Sequence, residues 1–117
     1  MAAIGRLGMF VLDVNDVERA AAFWSALLGV EVGHAMPGFT MLKAQDGTSA
    51  LALQEVPEPK SGKNRAHPNL NVENLEEAER QIHELGGTTV SQEEFGAMRW
   101  HVMADPDGNE FCIAVMM

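Results

Sequence analysis

Apolar positions along this chain switch between strand-like and helix-like spacing, and the order of the switches occurs twice. Residues 4 to 14 are apolar and bounded by turn-like residues, which predicts a strand. Val17, Ala20, Ala21, Trp24, Leu27 and Leu28 then fall on one stripe of a helix, capped by Asn15 or Asp16 and stopped by Gly29. Residues 30 to 36, 38 to 44 and 48 to 56 read as short strands, separated by turns at Pro37-Gly38 and Asp46-Gly47. Pro57 to Arg65 has the composition of a loop with no apolar anchor. The order then returns. A strand is expected over 66 to 73. A helix follows, capped by Asn74 with Glu77 at the capping-box position, with Leu75, Ala78, Ile82 and Leu85 as its buried stripe and Gly86-Gly87 as its stop. Strands are expected over 88 to 93, 98 to 104 and 109 to 116, with Asp105-Pro106-Asp107-Gly108 as a turn before the last.

The recurrence is visible in the residues themselves at an offset of 58. Val14-Asn15-Asp16-Val17-Glu18 returns as Val72-Glu73-Asn74-Leu75-Glu76, Leu27 maps to Leu85, and Gly29 maps to Gly87. Such internal repetition predicts an α+β fold of two βαβββ modules, about 1–58 and about 63–117, related by a pseudo-twofold. Each half is too short to bury a good core alone, so 1–117 is expected to fold as a single domain. The expected architecture is an open, barrel-like mixed sheet with the helices outside and a pocket where the halves meet.

Strand alternation sorts the side chains by face. Phe10, Leu12, Val14, Leu51, Leu53, Leu70, Val72, Phe111, Ile113 and Val115 form uniformly large, apolar faces, expected beneath the helices. The opposite faces carry Met9, Ala50, Ala52, Gln54, His67, Asn69, Asn71, Cys112, Ala114 and Met116. Small residues leave volume and polar ones supply directed hydrogen bonds, the combination a ligand cavity needs. The offset pairs Met9 with His67, and the face assignment pairs Gln54 with Cys112, so these four are expected to point into one central space. Aligning the Asp-Gly turns would pair Cys112 with Leu51 instead.

Charge removes some functions. Seventeen acidic residues against eight basic ones give a net charge of −9, which disfavours nucleic acid as a partner because phosphate binding needs a basic face. No apolar run is long enough to cross a bilayer, so no membrane association is expected. The single cysteine and the lack of a secretory pattern at the N-terminus lead to the expectation of a cytoplasmic protein.

Val14-Asn15-Asp16, Ala22-Phe23-Trp24, Leu28-Gly29, the stretch Lys63 to Leu70 (KNRAHPNL) and the stretch Asp105 to Cys112 (DPDGNEFC) together resemble the vicinal oxygen chelate superfamily. The likeness spans the full length and is strongest to its small glyoxalase-like and bleomycin-resistance-like branch. The resemblance implies frequent homodimers. It also implies metal ligands, in metal-using members, at positions aligned here with Met9, Gln54, His67 and Cys112. This set departs from that pattern: Met9 is a soft thioether, Gln54 is a weak donor, and no carboxylate stands at the last position. A catalytic ion with three protein ligands is hard to build from it, so neither metal nor other cofactor is expected.

The reading at this stage is a metal-free domain that holds a small organic molecule in the concave space. Gln54, His67 and Asn69 are expected to make polar contacts, and Met9, Ala52, Cys112 and Trp100 to form walls. The alternative is a lyase, isomerase or hydrolase of the glyoxalase-like type with His67 as base, with or without an assisting metal; whether the chain is an enzyme stays open. His67 as ligand, base or wall, and Cys112 as nucleophile or small buried hydrophobe, also stay open. Glu110 is expected at the pocket rim, and His34, His83 and His101 are assigned no chemistry.

Overall fold

The structure, a computed structural model, describes residues 2–115. Met116, expected on the open face, lies outside the described residues. The chain divides into two compact units, Met1–Pro59 and Lys60–Met117, and each has the predicted βαβββ order. The class is α+β, with two four-stranded mixed sheets, neither of them closed.

In the first unit β1 (Met9–Val14) leads into α1 (Val17–Leu28), followed by β2 (Val32–Met36), β3 (Phe39–Leu42) and β4 (Ala50–Glu55). The sheet order is β1-β4-β3-β2, with β1 parallel to β4 and the other pairs antiparallel. The first strand is shorter than the apolar run 4 to 14. Its ladder begins at Met9 opposite Ala50, where β4 emerges from the Asp46-Gly47 turn, so the preceding residues have no strand to pair with, and Ile4 and Leu7 are exposed. Asp16 is the N-cap of α1, accepting from the Arg19 amide at 3.0 Å. Asn15 instead donates to the carbonyls of Val56 and Glu58 at 3.0 and 2.8 Å, fixing the chain as it leaves β4. Gly29 closes the helix in the left-handed conformation, φ 66°. The face that α1 buries is Ala20, Phe23 and Trp24, with the two rings edge to face at 5.5 Å. Phe23 thus replaces Ala21 in the expected stripe, because residues three and four apart share a face.

In the second unit β5 (Asn69–Val72) leads into α2 (Leu75–Glu84), followed by β6 (Thr88–Phe95), β7 (Met98–Ala104) and β8 (Glu110–Val115), in the order β5-β8-β7-β6. Strand β5 starts at Asn69 rather than at 66. Pro68 has no N–H to give a ladder, yet its carbonyl accepts from the Cys112 amide at 2.9 Å, so His67 sits just ahead of the strand. Asn74 caps α2 through the Glu77 amide at 2.8 Å, while the Glu77 carboxylate turns to Arg80. Leu75 and Ile82 are buried as expected, but Leu85 stands at the C-cap and is exposed. Phe111 and Ile113 on β8 are fully buried on the helix side.

The loop from Lys60 is anchored, by polar rather than apolar contacts. Lys63 Nζ lies 2.6 Å and Lys60 Nζ 3.7 Å from the Glu110 carboxylate, and Asn64 Oδ1 accepts from the Glu110 amide at 3.3 Å. Glu110 is therefore buried and paired rather than standing at an open rim.

Candidate functional site on the open face of the second sheet

Backbone register fixes which side chains share a neighbourhood. Across β5, β8 and β7, Asn69 stands opposite Cys112 and Cys112 opposite Val102; one step on, Asn71 stands opposite Ala114 and Ala114 opposite Trp100. These two rows lie on one face because strand side chains alternate. His67, Asn69, Asn71, Trp100, Cys112 and Ala114 line a pocket of about 530 Å³, bordered also by Met98, Arg99 and Val115, a volume within the usual range for small-molecule sites. His67, Asn69, Trp100 and Cys112, all singled out from the sequence, are thus brought together. Asn71, Met98, Ala114 and Val115 were not assigned to the site. Strand alternation had already placed Asn71 and Ala114 on this face, without their being chosen as site residues, and the same parity reaches Met98, two residues from Trp100 on β7.

The first unit holds the other three candidates. Met9 is exposed at the start of β1, Ala52 is completely buried between Val11 and Met41 of the adjoining strands, and Gln54 is exposed between Asp13 and Phe39. The ladders also correct the pairing of the modules. Val14 stands opposite Glu55 and Val72 opposite Val115. If Val14 and Val72 are equivalent, then so are Ala52 and Cys112, and so are Gln54 and Ala114. Neither Gln54 nor Leu51 is the counterpart of Cys112, because the second module has two extra residues between its first and last strands.

The pocket carries amide, imidazole and thiol groups on an apolar lining, with one guanidinium at its border. Cys112 Sγ lies 3.7 Å from His67 Nδ1. Burial pushes the Cys112 thiol up from its ordinary value; Lys63 opposes that shift and Glu110 adds to it. The hydrogen bond from Lys63 holds Glu110 below the usual carboxylate range against the effect of burial, with Lys60 assisting. Arg99 borders the pocket, but its guanidinium is engaged by Glu76 at 2.8 Å. Among the described residues, no three His, Cys, Asp or Glu side chains converge as ligands to an ion would. His67 and Cys112 are two donors where a catalytic zinc site uses three, so the donors on this face do not fit a catalytic metal.

The model of the glyoxalase-like domain matches residues 9–114. The chain belongs to the glyoxalase-like family. Its fold is the vicinal oxygen chelate fold, and solved structures agree. A glyoxalase/bleomycin resistance protein/dioxygenase family enzyme from Burkholderia phytofirmans matches with a TM-score of 0.76 at 19% identity, covering 97% of this chain and 100% of its own. A glyoxalase/bleomycin resistance protein from Catenulispora acidiphila gives 0.67 at 26% identity, with 93% and 96% covered. The fosfomycin resistance protein FosX from Mesorhizobium loti gives 0.74 at 14% identity, with 99% and 95% covered. No curated protein matches this glyoxalase-like chain.

A second polar group lies on the helix side of the same sheet. Glu79 Oε2 accepts from Thr89 Oγ1 at 2.9 Å and from Gln92 Nε2 at 3.3 Å, and lies 3.0 Å from His101 Nδ1. His83 Nε2 meets Thr89 Oγ1 at 2.8 Å. Burial raises the Glu79 carboxyl, but these hydrogen bonds outweigh it and leave it low. His101 and His83 therefore have a structural role, tying α2 to β6 and β7, that their isolated positions in the sequence did not reveal.

Proposed function

We propose that this glyoxalase-like chain binds a small organic molecule, without a metal ion, on the open face of its second sheet. The observation that carries this reading is the pocket itself. It has wall area in Trp100, Met98 and Val115, hydrogen-bonding groups in His67, Asn69 and Asn71, and depth over the small Ala114. Polar groups placed at a few points on an apolar lining orient a ligand and give specificity. The shortage of ion ligands supports a metal-free role.

A thermal-shift screen of the purified chain with and without divalent metals tests the proposal. A bound compound stabilises the native state by RT ln(1 + [L]/Kd), about 2.7 kcal/mol at a hundred times Kd. Hits that persist in chelator support the reading. A stoichiometric divalent ion that is lost in His67→Ala sinks it.

The proximity of His67 to Cys112 favours one competing reading, a lyase, isomerase or hydrolase that uses His67 as base. In that case His67→Ala should lower turnover of a hit compound at least ~100-fold. A binder should return the compound unchanged and lose only modest affinity.

A further inference from the structure

We infer that the pocket takes an uncharged, flat heteroaromatic ligand packed edge to face against Trp100, with a hydrogen-bond donor and an acceptor side by side on the opposite edge, which faces Asn69 and Asn71. This rests on the binding role proposed above and narrows it to a chemical class.

The row Asn71, Ala114, Trp100 crosses three adjacent strands. Neighbouring strands are about 4.8 Å apart, so the two outer residues rise roughly 9.6 Å from each other with a methyl group as floor. Side chains on strands stand roughly perpendicular to the sheet. The result is a slot with a carboxamide on one side and an indole on the other. A slot floored by alanine admits a ring that a larger residue at 114 would exclude. Asn69 follows the same edge two residues away, about 6.6 Å along the strand, so two carboxamides face the slot in line. Each offers one carbonyl acceptor beside an NH2 donor, and the complementary partner is a lactam-like edge.

Charge selects against cations. The chain carries seventeen acidic residues, yet no Asp or Glu lines the pocket. The bordering guanidinium of Arg99 is engaged by Glu76. A cationic ligand would lose water without meeting a carboxylate in the lining. The acidic balance of the chain therefore does not extend to this site.

Four probes of similar size separate the features: the bicyclic lactam isoquinolone, its N-methyl derivative with the donor blocked, the N-methylisoquinolinium cation, and the saturated perhydroisoquinolone. Binding is followed by calorimetry and by quenching of tryptophan fluorescence; Trp24 is buried in the other unit, so the quench should vanish in Trp100→Phe. Isoquinolone should bind about tenfold more tightly than the N-methyl derivative, the cost of one unmade hydrogen bond. Asn71→Leu should erase that difference, and Ala114→Leu should abolish binding while the thermal midpoint shows that both variants fold. Failure of isoquinolone to bind, or equal or tighter binding of the cation or the saturated lactam, overturns the inference. If those other probes bind and His67→Ala weakens them, the pocket is still a ligand site and only the assigned class is wrong. If the pocket binds none of the probes and nothing in the wider screen, both readings fail.

Discussion

Replacing Asp105 by alanine tests whether the turn before β8 is what sets the register of the pocket. Asp105 is buried, and one carboxylate oxygen accepts from the backbone amides of Asp107 at 2.9 Å and Asn109 at 2.8 Å, while the other meets the Asn109 side chain at 3.4 Å. The main chain closes the same turn, Gly108 N to Asp105 O at 2.9 Å and Asp105 N to Asn109 O at 2.8 Å. Gly108 takes φ 87°, a left-handed conformation that glycine adopts without strain. Hydrogen bonds to a charged acceptor contribute about 1.5–3 kcal/mol each. Alanine removes both amide bonds and leaves a buried donor at Asn109, so the loss should be about 3–6 kcal/mol, a large part of the stability of a small domain. Asparagine retains an oxygen but not the charge and should lose roughly half as much. Urea unfolding at neutral pH should show a lower midpoint at unchanged slope, and isoquinolone binding should weaken, because Cys112 and Ala114 follow directly from this turn. A loss below about 1 kcal/mol for Asp105→Ala would refute the argument.

The Lys63–Glu110 pair should make stability sensitive to acid. Glu110 is held below its ordinary 4.5 in the folded chain, so its contribution is present above that value and is lost as pH falls through the lower folded value. Stability measured from neutral pH downward should therefore drop less steeply in Glu110→Gln, though not become flat, because Glu76, Glu77 and Glu79 are also lowered; an unchanged slope would count against the pair. Cys112 gives the opposite kind of test. Its thiol is pushed above 9.0 by burial, so iodoacetamide should label it more slowly than free cysteine at mildly alkaline pH, with a rate that is still rising at pH 9. A thiolate titrating near neutrality would instead revive a nucleophilic role.

Much of the fold could be read because local signals agreed with one another. Asp16 and Asn74 cap helices where apolar spacing changes, Gly29 ends the first helix, and strand alternation placed Phe111 and Ile113 under a helix and Asn69 and Cys112 away from it. What sequence missed depended on partners. Residues 4 to 8 were read into the first strand on the strength of Ile4 and Leu7, but β4 has not yet begun opposite them. Phe23 was overlooked because the wider stripe through Ala21 fits the same spacing. Glu110 carries no local mark of burial; only folding brings Lys63 to it across 47 positions. The pairing of Cys112 failed for a related reason. An offset fixed near the first helices cannot detect two residues gained later, whereas the ladder between β5 and β8 counts them directly.

That register also explains how two modules of one topology carry different chemistry. At equivalent positions Val11 and Asp13 in the first become Asn69 and Asn71 in the second, Ala52 becomes Cys112, and Gln54 becomes Ala114. The helix-facing positions on these strands stay apolar, Leu12 and Leu70, Val14 and Val72, Leu53 and Ile113. Packing constrains those residues because volume changes in a core are destabilising. On the opposite face Ala52 and Cys112 are also buried, but the exposed Gln54 and Asp13 are less constrained by packing. In the second module that face holds two amides, an imidazole beside a neutral thiol, and a methyl floor beneath an indole. Groups of this kind can read a ligand by shape and hydrogen-bonding pattern, which is the ground for proposing that the pocket binds an uncharged ring rather than coordinating an ion.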